Sequence, residues 1–127
     1  MRASYVATMR RRLRKIAGML ESPGTFYEDD AFWVNAKEIA HFHDGAISIR
    51  ITRPVFSAHR DRLRADPRVS RRSPASDWIT VQLESPKDVD FAAELAQLAA
   101  DAHRPAAGVA AKPPPTGADL ERRRRFH

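Results

Sequence analysis

The chain has 127 residues, of which 43% are hydrophobic and 30% charged, and it contains no cysteine. That length allows one domain with one core, and the lack of cysteine excludes disulfide staples, thiolate metal sites and cysteine nucleophiles. A formal charge of +6 favours nucleic acid or another anionic partner.

Val6, Met9, Leu13, Ile16 and Leu20 recur at helical spacing and predict a helix over residues 3 to 21. Arg10, Arg11, Arg12, Arg14 and Lys15 fall on its remaining arc, and Ser22-Pro23-Gly24 is expected to end it. No apolar run reaches the ~18 residues of a membrane span, and basic residues interrupt every apolar stretch of MRASYVATMRRRLRKIAGML. A soluble cytoplasmic protein without a transmembrane segment is therefore expected. The acidic stretch Glu28-Asp29-Asp30 reads as a solvated loop rather than a paired acid and base.

From Ala31 the period changes to 2, which predicts a short strand. Lys37 to His43 and Ala46 to Thr52 are two alternating runs joined by Asp44-Gly45, the dipeptide suited to a type I′ turn. A two-residue loop fixes the register: His43 faces Ala46, Phe42 faces Ile47, His41 faces Ser48, Ala40 faces Ile49 and Ile39 faces Arg50. Phe42, Ile47, Ala40 and Ile49 then share an apolar face, and His41, His43, Ser48 and Arg50 share the other.

Thr52-Arg53-Pro54 opens a helix expected to run to Asp66-Pro67, and Arg68 to Ser76 reads as a loop. Asp77 to Leu83 alternates again as a strand. Ser85-Pro86-Lys87-Asp88 starts the last helix, with Phe91, Leu95, Leu98 and Ala102 on its buried stripe and Arg104-Pro105 as its stop. Residues 105–127, rich in proline and arginine, read as a flexible basic tail after a single domain spanning 1–104. The expected fold class is α+β: about four strands in a mainly antiparallel sheet, order α-β-β-β-α-β-α, with helices covering one face.

On the polar face, His41, His43, Arg50 and Trp78 are the candidate ligand-binding residues, with Ser48, Thr80 and Gln82 beside them. His41 and His43 have metal-ligand spacing, but Glu38 is expected to point to the opposite face, so no metal is assigned. Arg10, Arg11, Arg14, Lys15, Arg71, Arg72, Arg122, Arg123, Arg124 and Arg125 are the candidate nucleic-acid contacts. No phosphate loop, nucleophile elbow or H-E-x-x-H occurs, so no catalytic residue and no cofactor is assigned.

FWVNAKEIAHFHDGAISIRITRP, then DPRV and RRSPASDWITVQL, then the Ala/Leu-rich closing helix, resemble a family of bacterial and fungal domains carried under a luciferase-domain label. The likeness covers roughly Ser22 to His103. A looser likeness of layout, with a strand-borne W-I-T-V, is to the MmcQ/YjbR double-wing fold associated with DNA binding. With no catalytic motif in the chain, the first resemblance is read together with a small binding or accessory module without catalysis of its own. The second implies a nucleic-acid binder using the basic residues. A third reading is a metal-binding or small-ligand enzyme centred on His41 and His43.

Overall fold

A computed structural model describes residues 2–26 and 29–126, leaving Glu28 of the acidic loop outside the described residues. Helix α1 (Arg2–Arg14) is followed by strands β1 (Leu20–Pro23), β2 (Asp30–Val34), β3 (Lys37–His43) and β4 (Ala46–Arg50). Helices α2 (Arg53–Ala58) and α3 (Arg60–Ala65) lead to strands β5 (Val69–Ser70) and β6 (Trp78–Gln82), then helices α4 (Pro86–His103) and α5 (Gly117–Arg125). The fold is α+β, but its sheet has six strands, in the order β1-β2-β3-β4-β6-β5, rather than about four. Every neighbouring pair is antiparallel.

The two additional strands lie at the edges. Helix α1 ends at Arg14 and not near residue 21, because Gly18 at φ +82° turns the chain back. Leu20 then pairs with Trp33 as part of β1 and is half exposed, so the helical stripe ends with Leu13 and a partly buried Ile16. Strand β5 is two residues long and pairs Val69 with Val81, inside the stretch expected to be a loop. The helix expected from Thr52 to Asp66 is broken at His59, whose φ of −117° leaves the helical region.

The central hairpin has the expected register from His43 opposite Ala46 to Ala40 opposite Ile49. Asp44 and Gly45 both have positive φ, 51° and 77°, as a type I′ turn requires. The turn between β2 and β3 has the same signs, built on Asn35 at 50° and Ala36 at 63°. Ser85 caps α4 by accepting the Asp88 N–H, while Asp88 accepts the Glu84 N–H.

Helices α1 and α4 both pack on one sheet face, where Met9, Leu13, Phe32, Ile47, Ile49, Val81 and Leu95 share one buried cluster. Truncating a fully buried leucine such as Leu95 to alanine costs about 2–5 kcal/mol. The segment expected to be a flexible tail instead carries α5, which lies against the opposite face. Leu120 is buried there, Arg123 stands over the Trp33 ring and Arg124 donates to the Gly24 carbonyl. Burying Leu120 and covering Trp33, itself 1% exposed, supplies the apolar contact that the tail's composition did not reveal.

Candidate functional site

The sheet face away from α1 and α4 carries the polar residues. Strand alternation directs His41 and His43 of β3, Ser48 and Arg50 of β4, and Trp78 and Thr80 of β6 to this side, with His41 opposite Ser48, Ser48 opposite Thr80 and Arg50 opposite Trp78. All four candidate ligand-binding residues are therefore brought together.

Glu38 joins them, contrary to the expectation from simple alternation. Phe32 pairs with Ala40 but Trp33 pairs with Glu38, so Ile39 is an extra residue, a β-bulge. The bulge puts Ile39 and Ala40 in the main core together and returns Glu38 to the side of His41. Glu38 is 3% exposed, and its two oxygens accept from the Thr25 N–H at 2.5 Å and from His41 Nδ1 at 2.9 Å. The contact between Nδ1 and the carboxylate fixes the orientation of the His41 ring.

Among the described residues, the Phe26, His41 and Trp78 rings line the mouth of a cleft of about 250 Å³. The His41 and Trp78 centroids are 4.8 Å apart, Phe26 and His41 5.3 Å, and Phe26 and Trp78 5.5 Å in an edge-on contact. On the far wall His43 Nε2 lies 2.7 Å from Ser48 Oγ, which is 3.0 Å from Thr80 Oγ1. Arg72 and Ser76, from the loop after β5, complete the lining. Ser48 Oγ is engaged on both sides, an arrangement suited to a hydrogen-bonding ladder rather than to a nucleophile awaiting activation.

The Arg50 guanidinium lies 4.9 Å from the Trp78 ring centre, and its Nε is buried with no hydrogen-bond partner among the described residues. Burial lowers the Arg50 pKa, with Asp77 and Glu38 opposing, and the group remains a cation. Burial also lowers the His43 pKa; nearby His41 adds to the effect and Asp44 opposes it. His43 is thereby biased toward its neutral form. Among the described residues no three His, Asp or Glu side chains gather as a metal-binding group.

The candidate nucleic-acid residues are dispersed. Arg10 and Arg14 both bind Glu21, and Arg10 also lies 4.8 Å from the Phe42 ring centre. Arg11 donates to Thr8, and Lys15 is exposed in the turn after α1. Arg71 donates twice to the Ser76 carbonyl, while Arg72 edges the cleft. Arg122 pairs with Asp119, Arg123 donates to the Ala36 carbonyl, Arg124 binds Gly24 and Glu121, and Arg125 is exposed. The cations of α1 and α5 thus sit on opposite sides of the sheet.

A family model described as the luciferase domain matches residues 36–99, from the β2–β3 turn into α4. The chain belongs to the luciferase-domain family. No curated protein and no solved structure matches it. The matched span of this luciferase-domain chain contains the bulge, both cleft histidines, Ser48, Arg50, Arg72 and Trp78, but not Phe26 or α5. Phe26 and Ser76 escaped the sequence reading because they lie outside any regular strand or helix. Glu38 escaped it because a bulge is set by strand pairing, which the residues of one strand do not announce. No described helix is long and apolar enough to cross a membrane.

Proposed function

We propose that this luciferase-domain chain is a small binding module whose ligand inserts a flat ring into the cleft on the open sheet face. The observation that carries the reading is the cluster of Phe26, His41 and Trp78 rings at the mouth of a cleft that a hydroxyl–imidazole ladder backs. Aromatic rings beside convergent hydroxyl, imidazole and guanidinium groups can hold and orient a small ligand, and about 250 Å³ suits one ring system rather than a large cofactor. A light-emitting oxidation would need a dry enclosure to protect its reactive intermediate. This cleft opens to water and is edged with hydroxyls.

Trp78 supplies the test. In a Trp33→Phe protein, Trp78 is the sole tryptophan. Titration with quinoline and adenine, corrected for their absorbance, should quench or shift its emission, and His41→Ala should abolish the response. No response to either of them up to solubility would contradict the reading.

A second reading, proton-transfer catalysis, has one observation in its favour: the Glu38–His41 pair stands beside His43, which burial biases toward the neutral, base-competent form. Mass spectrometry of any compound that binds decides it. Conversion lost in His43→Gln with binding retained supports catalysis, and a compound recovered unchanged favours the binding module.

A further inference from the structure

Beside the aromatic cleft runs a larger groove of about 550 Å³, between α2–α3 and the loop after β5. Its lining contains Arg53, Arg60, Arg64, Arg71 and Arg72 and no carboxylate. Many arginines elsewhere are ion-paired: Arg10 and Arg14 with Glu21, Arg12 with Asp90, Arg62 with Glu94, Arg68 with Asp66 and Arg104 with Asp101. In the groove, the guanidinium groups of Arg53, Arg60, Arg64 and Arg72 have no ion pair or hydrogen bond among the described residues. Of the acids beside the groove, Asp77 accepts from the backbone N–H of Arg53 rather than from a guanidinium, and Asp61 lies on the adjoining surface with Arg60 and Arg64 without an ion pair to either. Arg71 is held rigidly, with two N–H groups on the Ser76 carbonyl and its plane 3.9 Å from the Phe56 ring centre.

Gathering cations without counter-charges raises the local potential and favours a polyanion. Forked N–H donors match phosphate oxygens in pairs. Arg72 lines both the groove and the aromatic cleft, so the two cavities meet at one residue.

Resting on the binding reading above, we infer that the ligand is a nucleoside polyphosphate: its base stacks in the cleft against Trp78 and His41, and its phosphates pass Arg72 into the arginine groove. A mononucleotide fits better than a strand. Strand binders offer successive stacking platforms along a cationic track. Among the described residues, Phe26, His41 and Trp78 touch one another and make one platform rather than a row of them.

The test is calorimetric titration of the full chain with ATP, GTP, CTP and UTP, the matching nucleosides, inorganic tripolyphosphate and an octanucleotide. At least one triphosphate should bind roughly tenfold or more tighter than both its nucleoside and tripolyphosphate, and raising salt from about 50 to about 200 mM should weaken the triphosphate while sparing the nucleoside. Arg60→Ala/Arg64→Ala should remove the triphosphate's advantage without altering nucleoside binding, and these exposed residues can be replaced without disturbing the core. Trp78→Ala should abolish nucleoside binding and spare tripolyphosphate. Nucleosides that bind with no gain from phosphates overturn the inference and leave the cleft reading standing. Tripolyphosphate bound at the groove with no response to any flat ring overturns both. An octanucleotide that binds more tightly than every triphosphate assigns the surface to a strand and overturns the inference.

Discussion

Replacing Glu38 probes the buried carboxylate that positions His41. Alanine leaves the Thr25 N–H and the His41 Nδ1–H without their acceptor. Hydrogen bonds to a charged group contribute about 1.5–3 kcal/mol each. Partial rehydration of the two donors through the space left behind brings the expected loss to about 3 kcal/mol. Glutamine keeps one carbonyl oxygen and presents an amide donor to the second partner. If that partner is His41, its ring must change tautomer so that Nδ1 accepts, and the expected loss is only about 1.5 kcal/mol. With a urea m-value of about 1.5 kcal/mol/M, Glu38→Ala should lower the unfolding midpoint by about 2 M and Glu38→Gln by about 1 M. Nitrogen-15 spectra of the His41 ring should show protonated Nδ1 in the native protein and protonated Nε2 in Glu38→Gln. A Glu38→Ala midpoint within about 0.3 M of the native one, with an unchanged ring spectrum, would refute the paired carboxylate and the bulge that delivers it.

Further outcomes follow from other parts of the fold. Ala36 occupies a positive-φ turn position at 63°, so Ala36→Gly should stabilise the protein by about 1 kcal/mol in urea unfolding, and a loss of stability would contradict that turn. Burial holds both His43 and His103 below their ordinary pKa of 6.5, so the folded state binds fewer protons than the unfolded chain just below that pH. The associated stability is present above pH 6.5 and is lost as pH falls through the lowered values; urea midpoints should drop from pH 7.5 to pH 5, and His103→Gln should flatten the drop. Removing residues 116–127 in a Trp78→Phe background should shift Trp33 emission to the red, because α5 covers that ring; an unchanged spectrum would place its cover elsewhere.

The central hairpin was legible because Asp44-Gly45 and the flanking alternation agree on a single register, and α4 because Ser85, Pro86 and Asp88 mark its start as clearly as Arg104-Pro105 marks its end. On the polar face, His41, His43 and Arg50 followed from that register, and Trp78 from the separate alternation of Asp77 to Leu83. The edge strands did not follow. Leu20 extends the helical stripe of α1 in sequence, and only the reversal at Gly18 separates them. Val69-Ser70 is too short to show a period. The turn at Asn35-Ala36 lacks the glycine that marks its counterpart at Gly45. Leu120 gives no sign of being buried until Trp33 lies beneath α5, since a lone apolar residue among arginines makes a core only with a partner from far along the chain.

If the ring-lined cleft on the open sheet face is where this protein meets its ligand, a flat ring must perturb that cleft first. Amide shift mapping of the isotope-labelled chain during titration with a flat heteroaromatic probe such as quinoline tests it most directly. Saturable shifts should concentrate at Phe26, His41, His43, Trp78 and Thr80. Shifts confined instead to the hollow formed by Pro54, Val55 and Leu98, or spread evenly over the surface, would contradict it.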